Sequence, residues 1–177
     1  IRIIIAQISK IAIHTHLWFG NGSCIINDRS FPHRISPPSA KIKGLGLDFE
    51  IRIKPVKEEY PHRLRHFEIS DYLAQLKSMP FVGELNPNDI LITSDTIVWH
   101  NGKALGKPRS NQEAFYMLKS MSNQTHEVIT SVCFKTTTSE KTVHDITKVT
   151  LKAFTDEEIW YYVNNFNPLD KAGAYGI

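Results

Sequence analysis

The stretch "ILITSDTIVWHNGKALGKP", residues 90–108, constrains the fold most strongly, because it predicts a buried strand with an acid at its centre. Apolar residues flank Asp95 on both sides, and burying an ionised carboxylate is costly unless a cation or hydrogen bonds compensate it. Asn101 and Gly102 predict a tight hairpin turn, since this pair supplies the two positive φ angles of a type I′ turn. A short return strand then leads to Lys107. The stretch therefore predicts a hairpin with an acid within its first strand and a lysine at its exit.

Two interpretations of Asp95 are open on the sequence alone. In the first, Asp95 caps a turn or accepts hydrogen bonds from backbone amides, as aspartates commonly do. In the second, Asp95 lies in a cleft with Thr96 beside it and offers a hard oxygen ligand to Mg²⁺. If Asp95 lacks a paired cation, we expect its replacement by Asn to leave stability unchanged or slightly raised.

Downstream of residue 44 the pattern mixes strands and helices. Apolar spacing predicts helices in "HFEISDYLAQLKSM", "NQEAFYMLKSM" and "DEEIWYYVNNF", and capping boxes at Ser110 and Thr155 open the last two. Strands are predicted in "FEIRIKP", "HEVITSVCFKT" and "KTVHDITKVTLKAF". This combination predicts an α/β fold with a sheet packed by helices.

Residues 1–43 differ in texture from the rest of the chain. They are rich in isoleucine without a sustained period of 2 or 3.6, and they continue into a segment dominated by turn residues. This leader carries 6 basic residues against one acid, whereas the remaining 134 residues carry 15 basic and 17 acidic side chains. We expect a poorly ordered or loosely packed leader before a domain over residues 44–177. His14 and His16 have the spacing of strand metal ligands, but an ordinary polar role is favoured.

Charge and composition argue against several classes of protein. The net charge of +3 comes from the leader, and no RNA-binding signature, zinc finger or basic helix accompanies it, so nucleic acid is not the expected partner. No apolar run approaches the roughly 20 residues of a membrane helix. Cys24 and Cys133 form neither a disulfide framework nor a metal spacing. We expect a soluble, cytoplasmic protein.

Four pieces of sequence occur together in a specific order: "SDTIV" with "LGKP", then "EAFYMLKSMSNQTHEVITSV", "VTLKAFTDEEIWYYV" and the terminal "DKAGAYGI". From about residue 44 to residue 177 they resemble the Maf family of nucleoside triphosphate pyrophosphatases. This form of the motifs resembles the branch that hydrolyses dTTP and UTP rather than the branch that acts on 7-methyl-GTP. The resemblance implies an elongated mixed β-sheet of the Maf/ITPase type flanked by helices. It also implies hydrolysis between the α and β phosphates, and a homodimer.

By matching motif, the resemblance implies that Asp95 is the catalytic proton acceptor. Thr96 matches the neighbouring position associated with base choice, and Glu58 in "VKEEYP" matches an acidic position. The family uses a divalent cation, which implies that Asp95 and Glu58 are ligands of Mg²⁺ or Mn²⁺.

Four further residues match positions that contact substrate. Lys77 and Lys107 match the phosphate-facing lysines, and Asp170 and Lys171 belong to the terminal motif. A simpler interpretation stays open for each pair: a lysine before a proline is usually solvated, and Asp170 with Lys171 could be a surface ion pair at a turn.

The chain also departs from the family pattern. Where members have Ser-x-Ser-Pro-Arg-Arg, this chain has "HRISPPSAKIKG", with Arg34 as the nearest arginine, and it stops at Ile177, where members continue. We expect a chain that is truncated at its C-terminus and altered at its N-terminus, and a shifted reading frame would account for the leader.

Three functions are therefore weighed. The first is a pyrophosphatase for dTTP, UTP or modified pyrimidine nucleotides that cleans the nucleotide pool, with 7-methyl-GTP as the alternative substrate. The second is a catalytically weakened nucleotide-binding protein linked to septum formation. The third is a globular remnant without a ligand.

Overall fold

The computed structural model describes residues 2–8 and 49–176. Within them the elements follow the chain as β1 (Arg2–Ile8), β2 (Phe49–Arg52), α1 (Phe67–Ser78), β3 (Asp89–His100), β4 (Lys103–Leu105), α2 (Asn111–Met121), β5 (Thr125–Lys135), β6 (Glu140–Thr150) and α3 (Asp156–Phe166). Short 3₁₀ turns cover Met79–Phe81, Pro168–Asp170 and Ala172–Ala174. None of the described helices is long and apolar enough to cross a membrane. The predicted α/β class is confirmed.

The described strands form one mixed sheet in the order β2-β1-β3-β5-β6, with β4 paired to β3. β1 runs parallel to both of its neighbours, whereas β3 and β4 are antiparallel. Parallel strands need a long crossover connection, and α1 lies in the chain between β2 and β3.

The described residues form two compact units. Unit 1 contains residues 2–8, 49–96 and 130–145, and unit 2 contains residues 97–129 and 146–176. Unit 1 has a buried apolar cluster made of Ile4, Ala6, Phe81 and Leu91. The described residues of unit 2 form a second cluster, which draws on α2, α3, β4 and the segments around them: Val98, Leu105, Ala114, Phe115, Leu118, Met121, Leu151, Ile159, Val163 and Ala174.

β1 belongs to the segment that the sequence assigned to an atypical leader. Ile4 and Ala6 are fully buried, and the strand pairs with β2 on one side and β3 on the other. A parallel strand that is buried on both faces is a continuous apolar run, which explains the missing period. For residues 2–6 the expectation of loose packing is therefore wrong. Residues 9–48 lie outside the described residues. The predicted boundary at residue 44, His14, His16 and the altered motif in "HRISPPSAKIKG" all fall in this range.

Local sequence signals place the hairpin and two helices accurately, whereas the strands predicted in "FEIRIKP" and "KTVHDITKVTLKAF" end earlier, at Arg52 and Thr150. Asn101 and Gly102 have φ values of 49° and 75°, so the predicted hairpin turn joins β3 to β4. At the start of α2 the hydroxyl of Ser110 accepts a hydrogen bond from the Glu113 amide at 3.2 Å. Thr155 forms the complete capping box at α3, because its backbone amide also donates to the side chain of Glu158. The predicted bounds of α2 and α3 are those observed.

Arg2 compensates a carboxylate that is buried at the start of β3. Its Nε and Nη2 donate to the two oxygens of Asp89 at 2.9 Å and 2.6 Å, and Asp89 is only 3% exposed. The backbone amide of Asn86 donates to the same carboxylate at 2.8 Å. Two hydrogen bonds hold the pKa of Asp89 well below its ordinary value of 3.8: the one from Arg2, which has the larger effect, and the one from the Asn86 amide. The leader thus supplies a charge that the sheet requires.

We expect Arg2→Ala to lower the urea midpoint of unfolding at pH 7 by more than Arg52→Ala does. The first change leaves Asp89 buried without its guanidinium, whereas Arg52 pairs with Glu50, whose side chain is 47% exposed. Equilibrium urea unfolding of both variants, followed by circular dichroism, measures the difference. Equal midpoints for the two variants would show that the leader's charge is not required.

The same pair should make stability depend on acid. Because the folded pKa of Asp89 lies below the unfolded value, the contribution is complete above roughly pH 5 and is lost as the pH falls below about 4. The unfolding free energy of the parent protein should therefore fall more steeply between about pH 5 and pH 2 than that of Arg2→Ala. Parallel pH profiles for the two proteins would contradict this assignment.

Candidate active site

Lys77 lies in the last turn of α1, on the helix face that packs against β3. Leu73 and Ala74 share this face and are buried, and the Thr93 hydroxyl donates to the Ala74 carbonyl at 2.7 Å. Lys77 is 1% exposed despite its charge. Lysines are rarely buried to this extent without an acidic partner.

Two carboxylates provide that partner. The Lys77 Nζ lies 2.5 Å from Asp95 Oδ1 and 3.2 Å from Glu58 Oε1. It also donates to the Ser94 carbonyl at 3.4 Å. Asp95 is 4% exposed, whereas the Glu58 side chain is 42% exposed. Among the described residues, one ammonium therefore lies between two acids, of which one is buried and the other reaches solvent.

This geometry corrects the expectation that Asp95 can be replaced by Asn without loss of stability. That expectation assumed that Asp95 has no paired cation, and the structure pairs it with Lys77. Removing one partner of a buried ion pair leaves the other charge desolvated and uncompensated. The sequence did contain a signal for the pair, because Lys77 stands four residues after Leu73 on the buried face of α1.

Thr96 does not join this cluster. Consecutive side chains of a strand point to opposite faces of the sheet, so Thr96 faces away from the side on which Asp95 meets α1. Its hydroxyl instead lies 3.0 Å from the hydroxyl of Thr130 on β5. Nothing in the sequence indicated Thr130, since a cross-strand pair depends on register, which local patterns do not give.

In unit 2 the motifs "LGKP" and "DKAGAYGI" meet through their backbones. The Gly173 amide donates to the Gly106 carbonyl at 3.1 Å, next to the exposed Lys107. Gly173 has a φ of 67°, and a Cβ at this position would lie 3.0 Å from Val98 Cγ2. The close approach therefore requires glycine, and it fixes the terminal motif against the end of the hairpin.

Asp170 and Lys171 form the adjacent ion pair that the simpler interpretation of the sequence described. The Lys171 Nζ lies 2.5 Å from Asp170 Oδ1 at the end of a 3₁₀ turn. The Asp170 side chain is 62% exposed and that of Lys171 only 16%. Both residues, like Lys107, belong to unit 2. The other four of the seven predicted site residues belong to unit 1: Glu58, Lys77, Asp95 and Thr96.

Tyr175 anchors the terminal motif from its other side. Its hydroxyl shares a hydrogen bond of 2.5 Å with His126 Nε2, and the residue packs against the apolar cluster of unit 2. Burial, together with neighbouring His100, lowers the pKa of His126 to about 4, and burial raises that of Tyr175. Both groups are therefore neutral at pH 7, and the contact is a neutral hydrogen bond within the fold.

Asp95 and Glu58 are the residues that could hold a divalent cation. The described part of the chain contains no group of three or more His, Cys, Asp or Glu side chains arranged for a metal ion. Mg²⁺ bound with a nucleotide commonly takes only one or two carboxylates and completes its coordination with phosphate oxygens and waters. Two carboxylates that approach the same ammonium fit a cation of this kind.

Comparison with known proteins identifies relatives of this chain. Residues 40–177 match the family model for Maf-like proteins. The dTTP/UTP pyrophosphatases of Flavobacterium johnsoniae, Flavobacterium psychrophilum and Christiangramia forsetii are 62%, 54% and 47% identical over 135 residues. Each match covers 76% of this chain, and 70%, 69% and 69% of the respective relative.

Among solved structures, a nucleoside-triphosphatase, dITP/XTP pyrophosphatase, from Mycobacterium abscessus is a remote likeness. It has a TM-score of 0.41 and 14% identity, and the match covers 84% of this chain and 72% of that one.

We expect Gly173→Ala to lower the free energy of unfolding by about 1–3 kcal/mol, because the methyl group would meet Val98 in a left-handed backbone conformation. Gly106→Ala is the matched control, since a Cβ there meets nothing within 4 Å. Urea unfolding measures both variants. A loss for Gly173→Ala no larger than that of the control would contradict the close approach.

We expect Lys77→Met and Asp95→Asn each to lower the free energy of unfolding by about 3–5 kcal/mol, the range for a broken buried pair. Asp95→Asn should lie near the lower end, because Glu58 still contacts the lysine in that variant. The double variant should be less destabilised than the sum of the two, since it removes both charges together. A double-mutant cycle in urea provides the coupling energy. Additive losses would show that the pair does not act as one unit.

Proposed function

The chain belongs to the Maf family, and on this premise we propose that it is a nucleoside triphosphate pyrophosphatase that hydrolyses dTTP and UTP to the monophosphate and pyrophosphate. The observation that carries the proposal is the contact of Lys77 with both Asp95 and Glu58. These residues are separated in sequence, match three family motifs, and meet in one cluster. The dTTP/UTP pyrophosphatase of Flavobacterium johnsoniae is 62% identical over 135 residues, which supports the pyrimidine substrates.

Asp95 is proposed to accept a proton from the attacking water. Its neighbour Lys77 favours the ionised carboxylate, which is the form that can accept a proton. Carboxylates are weak bases at neutral pH, so this role needs a water that is already acidified. A divalent cation, Mg²⁺ or Mn²⁺, when held by Asp95 and Glu58, would neutralise phosphate charge and acidify such a water.

The lysines are proposed to neutralise the triphosphate. Charge that develops on the departing pyrophosphate is stabilised by positive groups that are already in place. Without nucleotide, Lys77 contacts its two acids in unit 1, while the backbone hydrogen bond between Gly106 and Gly173 fixes the segments that carry Lys107 and Lys171 in unit 2. The roles of Lys107 and Lys171, like those of Thr96 and Asp170, are supported by their motifs alone.

The family also supports a homodimer in the cytoplasm. Size-exclusion chromatography with light scattering tests for the homodimer, and a monomer at micromolar concentration would contradict it.

A second candidate function is nucleotide binding with little turnover, linked to septum formation. The observation that favours it is in the sequence, where "HRISPPSAKIKG" presents no adjacent arginine pair for phosphate. Tight binding of a dTTP analogue without release of pyrophosphate would select this function. Absence of both binding and turnover would reject both candidates.

We expect the purified chain to release pyrophosphate from dTTP and UTP in the presence of Mg²⁺, and to do so faster than from ATP, GTP or 7-methyl-GTP. A coupled pyrophosphate assay, with chromatography of the monophosphate product, measures the reaction. Preference for 7-methyl-GTP, or release of inorganic phosphate in place of pyrophosphate, would be evidence against the assignment.

Asp95→Asn should lower the turnover rate by at least about a hundredfold, because amides do not accept protons from water at neutral pH. Circular dichroism establishes that the variant is folded, and Glu58→Gln, at a half-exposed side chain, gives a second test with less risk to the fold. Lys54→Met is the control, since Lys54 pairs with Glu84 outside this cluster. Near-normal turnover in Asp95→Asn would move the proton acceptor to another residue.

A further inference from the structure

We propose that Lys77 is the resident cation of the Asp95–Glu58 pair and competes with the divalent cation for it. The free protein then binds Mg²⁺ or Mn²⁺ weakly, and the nucleotide makes the exchange favourable. The statement about the nucleotide rests on the proposed function, whereas the competition itself rests on the geometry of unit 1 alone.

The Lys77 ammonium lies where a metal ion that bridges the two acids would lie. The Lys77 Nζ lies 2.5 Å from an oxygen of Asp95 and 3.2 Å from an oxygen of Glu58. A Mg²⁺ ion that used the same two oxygens would lie about 2.1 Å from each. The ammonium and a bridging metal ion would therefore occupy overlapping positions, and one of them has to leave.

The charges of the site also oppose a metal ion beside the ammonium. The two carboxylates carry two negative charges, and among the described residues Lys77 balances one of them. A divalent ion placed beside the ammonium would bring like charges within a few ångströms of each other at a site where Asp95 and Lys77 are nearly inaccessible to water. Screening is weak under these conditions, so binding of free metal has to work against this repulsion.

A displaced Lys77 side chain needs a new position. Its four-carbon stem can reorient, but a displaced ammonium needs a new partner, because leaving it unpaired in a buried place is costly. A triphosphate brings several negatively charged oxygens and can take over the ammonium while its metal ion takes over the carboxylates. Metal and nucleotide therefore strengthen each other's binding, and the factor is the same in both directions.

The test uses Mn²⁺ as the probe and its free-ion electron paramagnetic resonance signal as the readout. Without nucleotide, Lys77→Met and Lys77→Gln should bind Mn²⁺ at least about tenfold more tightly than the parent protein, a coupling within the usual range. Lys54→Met should bind as the parent does, since Lys54 pairs with Glu84 and has no contact with Asp95 or Glu58 in the described residues. Adding Asp95→Asn to Lys77→Met should abolish the gain.

A parent protein that binds free Mn²⁺ as tightly as Lys77→Met would overturn the proposal. Lys77→Gln retains an amide that can donate to Asp95, so it covers the case in which Lys77→Met does not fold. If neither variant folds, the parent alone decides: micromolar binding of Mn²⁺ without nucleotide contradicts the competition. The competition is supported if the parent protein binds Mn²⁺ only in the presence of α,β-imido-dUTP, and more tightly than the analogue alone binds Mn²⁺.

The same experiments separate this inference from the proposed function. Hydrolysis of dTTP by a protein that shows no gain of Mn²⁺ affinity in either Lys77 variant would retain the pyrophosphatase and reject the exchange. A gain of Mn²⁺ affinity in a protein without turnover would retain the competition and reject the pyrophosphatase.

Discussion

The buried contact between Lys77 and Asp95 determines how several elements of unit 1 are arranged. Burying two opposite charges demands short distances, and the 2.5 Å separation requires the end of α1 to lie against the middle of β3. The hydrogen bond from Thr93 to the Ala74 carbonyl holds the same helix face in place one turn earlier. Helix position, strand register and the orientation of a candidate catalytic carboxylate are thus fixed by one set of polar contacts.

The sequence predicted elements well where the signal was local. Asn101 with Gly102 located the hairpin, and the capping residues Ser110 and Thr155 located the starts of two helices, because such signals act within a few residues. The candidate site was predicted only as separate motif residues. Their grouping depends on contacts between residues that are far apart in sequence, such as Lys77 with Glu58, and no local pattern encodes these.

The error at the N-terminus has a related physical cause. A helical or strand period in the sequence reflects a difference between a buried and an exposed face. β1 lies between two neighbouring strands, and Ile4, Ile5 and Ala6 are all buried, so this part of the strand shows no such difference. Among the described leader residues the most informative one is Arg2, whose partner Asp89 begins the strand that β1 joins. Complementary charges at the starts of two apolar runs are a signal that periodicity does not measure.

The parallel pairing of β1 with β3 also bears on how the chain folds. Arg2 lies opposite Asp89, 87 residues later, so the interior of the sheet closes through contacts of long range in sequence. Such contacts require a large loss of chain entropy before they are rewarded, and folds that depend on them form slowly. During synthesis β1 emerges before β3 and stays without this partner until the residues between the two strands have been made. An isoleucine-rich strand with free edges is then a site where other chains can pair, which makes early folding the stage most exposed to aggregation.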